Sequence, residues 1–170
     1  LIRDLGGDVG RGKDVDERMA TSLPDIYAAG DCTEGEDISS GTRRVLAILP
    51  NAYMQGHTAG VNMAGGAAAL TNAVPMNSIG FFGLHMMTAG SYEGEMIEES
   101  AEGAIKRFFV KDGVLKGFIL IGQTERAGIY TSLIRDRTPI DTIDAELAKK
   151  SAAYSIFSAE IRRKTLGGVV

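Results

Sequence analysis

The chain has 170 residues, a net charge of −4, 44% hydrophobic and 24% charged residues, which is ordinary for a soluble globular protein of one or two small domains. Charges of both signs are interspersed with no basic stripe, which argues against nucleic acid as a partner. Gly, Asn, Arg or Lys interrupts every apolar run before it reaches membrane-spanning length. The single cysteine, Cys32, excludes an internal disulfide and fits the reducing cytoplasm.

The chain opens at Leu1 in a polar, glycine-rich stretch without a preceding strand, which reads as a segment of a longer protein. Residues 4–20 read as turn and surface around a short strand at 14–17, with Val15 and Met19 as core candidates. Gly7 to Asp14 carries Gly and Gly-Lys at phosphate-loop spacing. Asp14 stands where a Ser or Thr must meet magnesium, and no apolar strand precedes it, so a glycine-rich turn is the better reading.

Residues 25–29 read as a short buried strand. Ile26 and Tyr27 supply β-favouring bulk, and Ala28, Ala29 and Gly30 leave almost no side chain where it stops. Asp31 then lies at the carboxyl end of the strand, where open α/β sheets bind ligands. A carboxylate only accepts hydrogen bonds, so it suits a polyol hydroxyl. Cys32 reads as a buried, inert thiol, residues 33–44 as a polar loop with Arg43-Arg44 a solvated pair, and residues 45–49 as an extended apolar stretch.

The spacing predicts a helix from Pro50 to about Ala64, with Ala52, Gln55, Gly56, Ala59 and Met63 at helical intervals and Gly65-Gly66 ending it. Residues 65–77 read as a linker with a domain boundary near Val74, giving domains 1–74 and 75–170. In the second, residues 79–89 read as one aromatic strand and 93–102 as an acidic edge strand. Asp112-Gly113 between the apolar runs 104–111 and 114–122 is a two-residue hairpin signal. An amphipathic helix follows over 123–137, then two more at about 141–149 and 151–163, and the tail 167–170 reads as frayed. His57 and His85 have neither metal-site nor triad spacing.

Taken in order, Val15 to Ser22, the run Ile26-Tyr27-Ala28-Ala29-Gly30-Asp31, Leu49 to Gly56, and Ala59 to Gly65 resemble the final flavin-domain block of the FAD-dependent pyridine nucleotide-disulfide oxidoreductases. The nearest branch holds NADH oxidases, CoA-disulfide reductases, rubredoxin reductases and nitrite reductase flavin domains. Residues 111–122 resemble the same family's C-terminal interface domain. The fold implied is α/β and α+β: a partial FAD-binding Rossmann-like domain, then a small antiparallel sheet with helices that makes the homodimer contact. The resemblance implies that Asp31 holds the ribitol of FAD and that Gly30 lets the backbone approach. It also implies that Ile48, Leu49, Pro50, Asn51 and Ala52 face the flavin ring, where a helix N-terminus stabilises negative charge. The family's Gly-x-Gly-x-x-Gly loops for FAD and NAD(P)H are not in the chain; the resemblance places both upstream, with the NAD(P)H site. The parent would pass electrons from NAD(P)H through FAD to an acceptor, and the segment alone would be inactive. The alternative is a non-catalytic dimerisation or interaction module that binds no flavin.

Overall fold

The computed structural model describes residues 1–150, 153–160 and 162. The chain divides into two compact units, Leu1–Pro75 and Met76–Val170. The architecture is mixed: helices, a small sheet with one parallel pair, and a larger antiparallel sheet.

In the first unit β1 (Lys13–Asp14), β2 (Thr33–Asp37) and β3 (Thr42–Arg44) form a sheet in that order. β1 and β2 run parallel with Lys13 beside Thr33; β2 and β3 run antiparallel with Glu36 beside Arg43. The stretch 33–44, expected as a polar loop, is therefore a hairpin. Its polar side chains enter the interior because they bond one another. Buried Asp37 accepts from the amide and hydroxyl of Ser39 at 2.9 and 2.6 Å and from the Ser40 hydroxyl at 3.1 Å.

Two expected strands change. The one at 14–17 shortens to β1, because the Asp16 carboxylate accepts from the amides of Arg18 and Ala20 and turns the chain. Residues 25–29 are not a ladder strand. Tyr27 makes an isolated bridge with Ala20, while Thr21 N donates to Ile26 O and Ala28 N to Met19 O. A ladder needs a neighbour along its whole length, and among the described residues this segment's backbone-to-backbone hydrogen bonds reach only residues 19, 21 and 23. Val15 and Met19 are buried with Ala59, and Tyr27, Ala28, Ala29 and Leu70 pack on them.

The helix α1 (Leu49–Met63) starts one residue before Pro50, and residues 45–48 stay outside the sheet. Its buried face matches the expected one at Gln55 and Ala59 and departs from it at Gly56 and Met63, which are exposed. Asn51, Gln55, Thr58, Ala59 and Asn62 point inward, whereas Leu49, Tyr53 and Met63 are exposed. The inward amides bond coil backbone: Asn51 Nδ2 donates to Val74 O at 3.0 Å, and Asn62 Nδ2 to Arg18 O and Ala68 O at 2.8 and 2.9 Å. Residues 65–74 are thus no free linker. Leu70 N donates to Glu17 O, Ile38 N to Ala73 O, and Val74 is fully buried.

The second unit is a five-stranded antiparallel sheet in the order β4 (Met76–Phe81), β5 (Leu84–Gly90), β8 (Val114–Ile121), β7 (Ala104–Lys111), β6 (Glu95–Ala101). The aromatic strand expected at 79–89 is two strands, because Phe82 and Gly83 both take positive φ, 47° and 82°, and reverse the chain. The helix α2 (Ala127–Arg135), shorter than expected, lies on β8 and β5. Tyr130 of α2 sits 5.0 Å from the ring of Phe108 and 5.6 Å from that of Phe118, and its hydroxyl donates to Ala148 O at 2.6 Å. Phe118 and Leu120 on the central strand are buried, each such side chain contributing about 2 kcal/mol. The helix expected at 141–149 is a 3-10 turn, Ile140–Thr142, followed by α3 (Ala145–Lys150). Within 151–163, residues 151, 152, 161 and 163 lie outside the described residues, and Tyr154–Ile156 is a 3-10 turn; the tail 167–170 also lies outside them.

Candidate functional site

Gly30 ends the extended segment with φ +86°, a left-handed conformation that favours glycine. The turn that follows is closed by Thr33, whose amide and hydroxyl donate to Gly30 O at 3.0 and 2.8 Å. Asp31 and Cys32 stand on its outer corner, both exposed. Cys32 is therefore not the buried thiol expected: the left-handed glycine swings the chain outward, and the sulfur keeps only a 3.5 Å contact with Ala29 O. Among the described residues, no group bonds the Asp31 carboxylate, so it is a free acceptor.

The start of α1 lies against this turn. A Cβ placed on Gly30 would meet the Ala52 methyl at 3.8 Å. The first residues of α1 carry no side-chain cap: Ile48 is extended, its side chain cannot accept, and Pro50 has no amide hydrogen. The positive end of the helix is left for an acceptor from outside. Asn51 is fully buried. Its Nδ2 is used on Val74, while its Oδ1 has no partner among the described residues.

The structure thus brings together the two groups picked from sequence, Gly30-Asp31 and 48–52, on one side of the first unit. It also places a residue that the sequence treated only as a packing position. Gln55 is buried, and its Oε1 accepts from Gly30 N at 2.7 Å and faces the Thr33 hydroxyl at 3.0 Å. The available signal was the recurrence of amides at 51, 55 and 62 on one helical face, where an apolar stripe is the norm.

Other sequence candidates are engaged elsewhere. The amides of Arg11 and Gly12, in the phosphate-loop look-alike, donate to the Glu34 carboxylate at 2.9 and 3.2 Å, and no helix follows. Arg43 pairs with Asp14 and donates to Val15 O at 2.6 Å and Glu34 O at 3.1 Å, and Arg44 pairs with Asp37. Neither is simply solvated. His57 and His85 are exposed. Among the described residues no group of three His, Cys, Asp or Glu could hold a metal ion, and no helix is long and apolar enough to cross a membrane.

Arranged this way, a lone acceptor and an open helix N-terminus suit an elongated ligand with hydroxyls at one place and acceptor atoms at the next. No family profile matches the chain. Among curated proteins it is 34% identical over 135 residues to the NADH-dependent phenylglyoxylate dehydrogenase subunit epsilon of Aromatoleum evansii, covering 74% of this chain and 32% of that protein. It is 27% identical over 113 residues to the CoA-dependent NAD(P)H sulfur oxidoreductase of Pyrococcus furiosus, covering 65% and 25%. Among solved structures, an FAD-dependent pyridine nucleotide-disulphide oxidoreductase from Desulfovibrio vulgaris superposes with a TM-score of 0.74 at 23% identity, covering 84% of this chain and 40% of that one. The chain spans a third or less of the length of these curated relatives.

Proposed function

Starting from the FAD-dependent pyridine nucleotide-disulfide oxidoreductases, the family to which this chain belongs, we propose that it supplies part of the FAD site of an NAD(P)H-dependent flavoprotein oxidoreductase. Asp31 accepts from the ribitol hydroxyls, the left-handed Gly30 lets the backbone approach, and the open α1 end at residues 48–52 faces the acceptor edge of the flavin ring. Bound there, FAD would supply the hydride and electron-transfer chemistry between NAD(P)H and an acceptor. This chain's residues bind and orient it, and none of them is a proton-transfer or nucleophilic group in this reading. The segment alone is therefore inactive. A chain with one cysteine fits the cytoplasm as its compartment.

The observation that carries the proposal is the free Asp31 carboxylate beside an uncapped helix start, joined through Gly30 and Ala52. The residues fit the group. The acceptor and the helix end are both unused within the first unit, and the buried Asn51 Oδ1 is left without a partner among the described residues. The test is Asp31→Ala in the flavin-loaded protein that carries this chain. Loss of a charge-assisted hydrogen bond should weaken FAD retention about tenfold or more. Unchanged flavin content would remove Asp31 from the site and leave the interaction-module reading standing.

The dimer contact expected of the second unit has its own support. Ile79, Phe81, Phe82 and Leu84 are exposed on β4, β5 and their turn, an apolar patch on an edge strand. We propose that the second unit, residues 76–170, makes a homodimer contact, whichever role the first unit has.

A further inference from the structure

We propose that Gln55 is the positioning residue of the flavin site, locking the Gly30-Asp31 turn to α1; the inference rests on the FAD reading above. The Gly30 amide points into the protein, and the Gln55 Oε1 at 2.7 Å is the acceptor it meets. The Thr33 hydroxyl lies 3.0 Å from the same oxygen and 2.8 Å from Gly30 O, so its single proton serves one acceptor at a time. Gln55 and Thr33 are both buried, 4% and 1% exposed, which shields these bonds from competing water.

The geometry has a specific effect. Asp31 is the residue after Gly30, so the direction of its carboxylate follows the Gly30 peptide. Gln55 is one turn beyond Asn51, so its side chain moves with the start of α1. One amide oxygen therefore sets the spacing between the ribitol acceptor and the ring-facing helix end. A glycine in the left-handed region has wide conformational freedom of its own, and this contact removes it at the place where the carboxylate must be aimed. In this proposal Gln55 acts through Gly30.

The test uses Gln55→Met, which keeps length and removes the acceptor, and Gln55→Glu, whose carboxyl oxygen accepts from Gly30 N in either protonation state. Both are made in the flavin-loaded protein, with Asp31→Ala alongside. Leaving a buried amide unpaired should weaken FAD binding about tenfold in Gln55→Met, while Gln55→Glu stays within about threefold of the wild type. The visible circular dichroism of the flavin should change in the first variant and not in the second. Gly30 amide exchange, read without reference to flavin, should speed up in Gln55→Met alone. Wild-type affinity, dichroism and exchange in Gln55→Met, beside flavin loss in Asp31→Ala, would overturn the positioning role while leaving the FAD site intact. Flavin retention in Asp31→Ala would instead overturn the FAD reading. Should Gln55→Met not fold, Gln55→Glu decides: a tenfold loss with the acceptor still in place counts against the proposal, and retention supports it.

Discussion

Arg44 closes over the buried carboxylate of Asp37, its guanidinium 2.9 Å from Oδ2, across a hairpin whose residues are almost all polar. Asp37 is fully buried, while half of the Arg44 side chain stays in water. The arginine is one of several donors on that carboxylate, Ser39 and Ser40 being the others. Asp37→Ala deprives all of them of their acceptor and should cost about 3 kcal/mol, whereas Arg44→Ala leaves the serine donors in place and should cost about 1.5 kcal/mol. Urea unfolding of both variants checks this. Equal losses would mean that the ion pair, not the serine cradle, holds the turn.

Phe82 is a strained choice for its position. It takes φ 47° in a two-residue turn, is 95% exposed, and makes an edge contact with Phe81 at 4.6 Å. Asn accepts that conformation more readily, so Phe82→Asn should raise the stability of the chain by about 0.5 kcal/mol. If the patch is a contact between copies, the same substitution should shift sedimentation toward the monomer. A stabilised chain with an unchanged oligomeric state would separate the patch from self-association.

Glu98 and Arg107 face each other directly across β6 and β7. The hydrogen bond from Arg107, then the one from Ser100, hold the Glu98 carboxyl below its ordinary value. A carboxyl whose pKa is lowered on folding contributes stability that is present above its unfolded pKa and lost as pH falls through the folded one. The melting temperature of Glu98→Gln should therefore lie below that of the wild type near neutrality. The gap should close on acidification below the usual glutamate range of about 4.3. A gap that persists in strong acid would assign the effect to packing rather than to charge.

The legible parts of this fold are those specified locally. Asp112-Gly113 permits the left-handed turn by its own chemistry, and the strands fall at 104–111 and 114–121 on either side. Pro50 and Gly65 likewise bracket α1 by backbone preference. Phe82-Gly83 is not legible, because phenylalanine is not a turn residue and the aromatic, apolar stretch 79–89 continues on both sides of it. The β2–β3 hairpin was hidden for a different reason. Its stability comes from a carboxylate satisfied by four donor groups, and composition alone presents the same residues as a solvated loop. In the candidate site, Asp31 and the start of α1 are expectations of pattern and resemblance, and the structure sets Gly30 and Ala52 beside each other. Gln55 is not among those expectations, since its role exists only once Gly30 is brought against the helix.

The amide-lined face of α1 has a consequence for how the first unit comes apart. Asn51, Gln55 and Asn62 each hold a different stretch of coil: residue 74, the Gly30 turn, and residues 18 and 68. These stretches have little regular structure of their own, so the helix is their common template. A small rotation of α1 about its axis would release all of them together, and none could refasten until the helix returned to register. The Gly30 turn, the 68–74 strap and the helix should accordingly open in hydrogen exchange as one cooperative block, with a single free energy, rather than fraying piece by piece.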